Sequence, residues 1–385
     1  MRHHQQVRDF SFVEAPVEFN KYTDLALLRY CLGATMYMPG TRDFAKEILH
    51  KKYPGLTSMV MCFEDACREV DIPAAEDNVL KLLDTLSQYL ENGVIRYADI
   101  PLIVFRVRSP EQFRTFCARI KKEHLRLITG FNFPKFNTQN GLQYFSYLKE
   151  LNSRYPSENV YGMPILESRE MAFIETRMAE LLEVKRILDA HRSLVLNIRV
   201  GGTDFSACFG VRRTTTHTIY DIITVSDCLK DILNVFARDN NYSVSGPVWE
   251  YFRVSRESKF KSLSSSVHDS LFRREPLVNE EVDGLLQEIL LDQANGFIGK
   301  TVIHPTHIPY VNGMLAVTRE EHEDALQVLQ REDGVVKSKN GNKMNEVNPH
   351  RIWAEKLYMR AQAYGVIENN RQHARLFLTD GDAGG

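Results

Sequence analysis

The chain has 385 residues, 43% of them hydrophobic and 25% charged, with a formal charge of −2. That length supports a large core, and the near-neutral balance gives no global pull toward nucleic acid or an anionic membrane. The opening MRHHQQVRDFSF lacks the apolar core of a secretion signal, and no apolar run approaches the roughly 18 residues of a membrane span, so the expectation is a cytoplasmic protein.

Residues 1–32 read as an N-terminal extension, with His3 and His4 part of a solvated terminus. From residue 33 onward, short apolar runs alternate with longer helical patterns. The runs at 33–39, 58–65, 101–109, 127–136, 160–167, 193–204, 243–252 and 298–305 read as strands. Helical patterns lie between them, including 42–53, 78–92, 111–123, 142–154, 168–192, 221–239 and 280–295. Eight such units predict a (β/α)8 barrel over 33–312. An open doubly wound sheet has the same alternation, but no GxGxxG follows the first strand.

Segments 205–218 and 253–280 exceed what a barrel needs and read as loop insertions shaping a substrate pocket. Two more helices, 319–330 and 349–364, fall within 313–366, which reads as a lid and oligomerisation segment. Residues 367–385 read as a disordered tail. The cysteines (Cys31, Cys62, Cys67, Cys117, Cys208, Cys228) form no CxxC pair, which argues against a disulfide framework.

Two strands end in carboxylates: VYGMPILE delivers Glu167, and SLVLNIRVGGTD delivers Asp204. A βαβ connection makes these strands parallel and places them about 4.8 Å apart when they are neighbours. Two carboxylates converging at that edge suit a hard cation such as Mg2+; the plainer alternative is that each caps the helix that follows. Other strand ends carry Gly40, Glu64, Asp65, Arg106, Arg108, Lys135 and His304. Gly40 would let backbone N–H groups approach a substrate, or simply make a turn. Lys135 reads as a substrate contact or a structural ion pair. Arg212 and Arg213, followed by TTTHT, suit a phosphate or carboxylate, or a solvated loop. His304 and His307 read as helix-start hydrogen-bonding residues.

The motifs MYMPGTR, CFEDAC, FRVR, FPK, MPILES, GGTDFSA and GKTVIHPTHIPYVN follow in that order. In this series the chain resembles the HpcH/HpaI aldolase and citrate lyase beta-subunit superfamily from about residue 33 to 365. The stretch GGTDFSACFGVRR is most similar to a divergent branch found in tellurite-resistance and stress gene clusters. The resemblance implies a magnesium-dependent TIM barrel that makes or breaks carbon–carbon bonds, often with acyl-CoA thioesters, and that assembles as trimers or hexamers through its C-terminal helices. It implies that Glu167 and Asp204 are metal ligands, with Mn2+ a possible substitute, and that Arg106 binds substrate beside the outer acidic pair Glu64 and Asp65.

Cys62 stands where the family motif begins with Asp, and Arg108 stands where it has Asn. The choice between a free keto or hydroxy acid and a CoA thioester therefore stays open. So do two other readings: a non-catalytic metabolite-binding subunit, and a barrel enzyme using enolate chemistry for phosphoryl transfer or isomerisation, with Arg212 and Arg213 as anion clamp. Residues 337–348 are expected to close over a neighbouring subunit's barrel, bringing Asn345, Glu346 or His350 to it.

Overall fold

The eight predicted runs form eight parallel strands: β1 (Ala34–Pro39), β2 (Ser58–Cys62), β3 (Leu102–Arg106), β4 (Ile128–Phe133), β5 (Tyr161–Leu166), β6 (Ile198–Val200), β7 (Val244–Ser245) and β8 (Lys300–Val302). They come from a computed structural model that describes residues 1–253, 266–273, 275–339 and 341–377. Strands β1 to β7 pair in chain order, and β8 returns to pair with β1, Thr35 opposite Thr301. A bridge from Gly246 to Lys300 joins β7 to β8 and closes the barrel, which excludes the open sheet.

The strands are nearly continuous apolar runs because both of their faces are covered. Phe105, Phe131 and Phe133 face outward, meeting Phe113 and Phe116 of the helix Pro110–Arg119 and Tyr144 of the helix Gly141–Arg154. The first of these helices starts where the Ser109 side chain accepts the Gln112 N–H and a proline takes the first turn. Phe113 lies 4.7 Å from Phe131 and 5.3 Å from Phe133, so Phe113→Ala would cost about 3–5 kcal/mol. Strand alternation then turns Arg106 and Asn132 into the barrel.

Several segments differ from expectation. The run at 193–204 yields only a three-residue strand; the chain then enters the helix Gly202–Cys208, so Asp204 sits in a first helical turn and not at a strand end. The glycine pair ends the strand, and a carboxylate is favoured near a helix start. Part of the insertion expected at 205–218 is therefore helical. Of the insertion expected at 253–280, residues 254–265 and 274 lie outside the described residues.

The helices Arg319–Leu329 and Val347–Tyr364 pack on each other around Ala325, Val328, Ala354, Leu357 and Ala361. Their connection, expected as a loop, contains the hairpin Val335–Lys337 with Met344–Glu346. The tail expected to be disordered from 367 instead pairs Ile367 with Thr318 and forms the helix His373–Leu376, with Leu376 and Phe377 buried. Residues 378–385 lie outside the described residues. His3 and His4 are buried and not solvated: the His3 ring stacks 4.3 Å from Tyr364 and bonds the Cys31 carbonyl at 3.0 Å. The six cysteines are unpaired. Among the described residues, no helix is long and apolar enough to cross a membrane.

Candidate active site

Pairing of Leu166 with Val200 sets Glu167, one residue past β5, beside Gly201, one residue past β6. The Gly201 N–H is donated to the Leu166 carbonyl at 3.1 Å, locking the two strand ends together. The Glu167 side chain is buried, with 2% of its surface exposed. Its Oε1 accepts the Lys135 backbone N–H at 2.9 Å and Arg106 Nη2 at 3.3 Å. Lys135 adopts a left-handed φ of 47°, unusual for a non-glycine residue. Its carbonyl is held by Asn140 Nδ2 at 3.0 Å, which fixes the turn that presents the N–H to Glu167.

Arg106, the last residue of β3, draws the acidic groups together. Its Nη2 lies 2.6 Å from Glu64, 3.2 Å from Asp65 and 3.3 Å from Glu167, whereas its buried Nε has no acceptor among the described residues. Lys135 Nζ pairs with Glu64 and stands 3.6 Å from Asp65. Asp204, partly buried, makes no hydrogen bond or ion pair among the described residues.

Three carboxylates thus meet two cations, with Asp204 acting on Glu167 through its charge, and the imbalance shows in their protonation. Desolvation pushes the Glu167 carboxyl up to about 8, against the pull of Arg106 and with the field of Asp204 adding to it. Burial also raises Glu64, opposed by Arg106. Burial works against the charge of Arg106 itself, but Glu167 and Glu64 outweigh it and raise its pKa.

The other expected site residues lie elsewhere. Gly40 donates its N–H to the Cys62 carbonyl at 2.9 Å, and a Cβ there would come within 2.9 Å of the Phe63 ring. It is a packing glycine, and that N–H cannot also face a substrate. Arg108 is half-exposed at the rim, 3.9 Å from Glu69. Arg212 is exposed over the Tyr251 ring. Arg213 is buried, paired with Glu288, 2.7 Å from Glu250 and stacked 4.9 Å over Trp249. Glu288 and Asp292 also bind the buried Lys300 at 2.8 and 2.6 Å.

Arg213 is therefore a structural cation and no anion clamp, because the fully buried Glu288 demands a charge partner. His304 stacks on Phe252 at 4.2 Å, and His307 bonds the Tyr251 carbonyl at 3.1 Å, both filling niches as expected. Asn345 bonds Asp324 at 3.2 Å and Lys343 bonds it at 2.8 Å, so the hairpin docks on this chain's own C-terminal helix.

Sequence reasoning missed a polar layer below the mouth: Tyr37, Asn132, Arg199 and Thr301. The signal available was Arg199 itself, a charge inside an apolar strand two residues before Gly201. A cavity of about 520 Å3, lined by Lys51, Tyr53, Arg96 and Asp99 among others, lies toward the strand starts, away from the end where barrel chemistry resides.

The fold and the site together define a closed (β/α)8 barrel whose carboxyl-end mouth gathers an arginine, a lysine and an acidic set in which Asp204 has no partner among the described residues. Residues 26–366 match the model of the C-C bond lyase family of the TIM-barrel fold, and the chain belongs to that family. Among solved structures it is similar to the CitE protein from Mycobacterium tuberculosis in complex with magnesium, acetoacetate and coenzyme A, with 18% identity, 86% of this chain and 99% of that one covered, and a TM-score of 0.50.

It is also similar to the citrate lyase beta subunit from M. tuberculosis complexed with oxaloacetate and magnesium (18% identity, 74% and 96% covered, TM-score 0.43). The HpcH/HpaI aldolase from Desulfitobacterium hafniense follows at 10% identity, with 70% and 86% covered and a TM-score of 0.41. No curated protein sequence matches this chain.

Proposed function

We propose that this protein is a Mg2+-dependent carbon–carbon bond lyase or aldolase acting through an enolate on a keto or hydroxy acid. The observation that carries this reading is the Asp204 carboxylate, without a partner among the described residues, beside the desolvated carboxyl of Glu167. Two oxygen donors with mutually repelling charge fit a hard cation, and a divalent ion offsets the charge that Arg106 and Lys135 leave uncompensated. Glu167 and Asp204 would hold the ion, with Mn2+ as a substitute. When bound, it supplies Lewis-acid charge beside the oxygen on which negative charge develops.

The protein's own groups do the rest. Arg106 is held through Nη2 by Glu64, Asp65 and Glu167, which fixes the plane of a guanidinium fork that would orient a substrate carboxylate or carbonyl oxygen. Glu64 and Lys135 form an ion pair that keeps the outer wall of the mouth fixed. The magnesium, acetoacetate and coenzyme A bound by the related CitE protein support a small acid and a metal as ligands and leave CoA use as a matter for assay. On the same reading residues 33–312 are the catalytic barrel, residues 313–366 carry homo-oligomer contacts, and the protein works in the cytoplasm.

The test is a panel of keto and hydroxy acids, free and as CoA thioesters, incubated with the protein and followed by NMR. Carbon–carbon cleavage or condensation is expected with Mg2+ and is expected to vanish with EDTA or in Asp204→Asn. Turnover that survives both would overturn the reading.

A further inference from the structure

The lumen of a (β/α)8 barrel is ordinarily packed with branched apolar side chains. Here it carries polar layers, and most of them satisfy themselves. Near the strand starts, Ser58 bonds Thr35 at 3.1 Å, Asn197 bonds Ser243 at 3.0 Å, and Ser245 bonds Asn197 at 2.8 Å. The layer above is different. Arg199 of β6 reaches across to Thr301 of β8, donating from Nη2 to Oγ1 at 2.6 Å, and lies 5.5 Å over the ring of Tyr37 on β1. Tyr37 in turn meets Asn132 of β4. None of these strand pairs are neighbours, so the contacts cross the lumen.

Arg199 is 1% exposed, yet its Nε and Nη1 have no acceptor, and among the described residues no carboxylate pairs with it. Burying an unpaired guanidinium costs several kcal/mol, and among the described residues the Thr301 hydroxyl and the Tyr37 ring offset only part of it. The hydroxyl of Thr301 and the ring of Tyr37 give Arg199 no charge. Tyr37 and Thr301 are each partly exposed, whereas Arg199 beside them is buried. In the same layer Asn132 leaves Oδ1 unbonded. Arg199 lies two residues, about 6.6 Å, below Gly201 along the strand, beneath the carboxylate cluster and separate from it.

We propose that Arg199, with Thr301 and Tyr37, is an anion seat in the floor of the barrel that takes a carboxylate of a small organic acid. An acid entering the mouth would place its carboxylate against the unpaired nitrogens of Arg199. On the proposed lyase reading this is the end of the substrate remote from Glu167 and Asp204. The seat itself needs no metal and no turnover, so it can be tested apart from that reading.

The experiment is calorimetric titration of acetate and malonate into the full chain in the presence of EDTA, with thermal unfolding measured alongside. The wild type should bind both saturably, with a rise in Tm. Thr301→Val, which removes the hydroxyl that holds Nη2, should weaken binding by about tenfold or more, and Arg199→Met should abolish it. Arg199→Met should melt at or above the wild-type temperature in anion-free buffer, because it removes a buried unpaired charge. Absence of saturable binding to wild type, or equal affinity in Arg199→Met or Thr301→Val, would overturn the seat. Loss of Mg2+ binding or of turnover with the seat intact would count against the lyase reading alone. Should Arg199→Met fail to fold, its contribution to stability would be structural and the proposal overturned.

Discussion

The carboxyl of Glu167 fills the space that a side chain on Gly201 would take. A Cβ built on Gly201 would lie 2.1 Å from Glu167 Oε2 and 2.5 Å from Glu167 Cβ. The bare backbone of Gly201 is thus what lets a buried carboxylate stand beside β6. Gly201→Ala should force Glu167 off its bonds with Lys135 and Arg106, costing about 1–3 kcal/mol by overpacking. Mg2+ titration is expected to show weakened affinity in a protein that still melts cooperatively. Unchanged affinity would place Glu167 outside the metal site.

Arg106 has two separable roles. Arg106→Lys keeps a charge near Glu64 but loses the planar fork, so turnover should fall about 100-fold while Tm stays close to wild type. Arg106→Met leaves the buried Glu64 and Glu167 without their cation and should cost about 3–5 kcal/mol in urea unfolding. Full turnover in the lysine variant would remove Arg106 from the reaction.

Acid sensitivity follows from buried imidazoles. Burial lowers His307 and His373 to about 4 and His4 to about 3. Below about pH 6.5 the unfolded chain takes up protons that the folded chain refuses, so stability is lost as pH falls toward those values. Each histidine should contribute about 2 kcal/mol of loss between pH 7 and 5, from 1.36 kcal/mol per unit. Burial also holds His3 well below its usual range, and the raised Glu167 carboxyl gains stability as pH falls through the same window. The test is therefore a comparison: in urea unfolding His373→Gln should lose about 2 kcal/mol less than the wild type between pH 7 and 5. A pH dependence unchanged in His373→Gln would contradict the burial of that ring.

The barrel was legible because its strands are fully covered: runs such as SMVMC, buried at every residue, stand out against the helices. Glu167 was legible because its strand runs unbroken up to it. Asp204 was expected at a strand end, but the glycines end β6 early and a helix presents the carboxylate. Arg212 and Arg213 look alike in sequence; a partner 75 residues away, Glu288, decides that one is buried and the other exposed. Gly40 fails as a ligand contact because the Phe63 ring, brought by β2, occupies its open side. His3 and His4 were misread because nothing local announces that Tyr364 will cover them.

The C-terminal helix Val347–Tyr364 buries Ala354 and Leu357 inward but leaves Ile352 and Trp353 about 40% exposed. Apolar side chains so placed suit a contact between copies of this chain. Light scattering at micromolar concentration should report more than one chain, and Trp353→Asp should shift the distribution toward the monomer. A wild-type monomer would contradict this.

The most direct measurement concerns the two carboxylates at the mouth. Free Mn2+ is followed by electron paramagnetic resonance as protein is added. Glu167 and Asp204 acting together predict one Mn2+ per chain, displaced by Mg2+, with Glu167→Gln and Asp204→Asn each weakening binding by more than the roughly 10- to 100-fold that loss of an outer-shell partner causes. No binding to the wild type, or undiminished stoichiometric binding in Asp204→Asn, would contradict it.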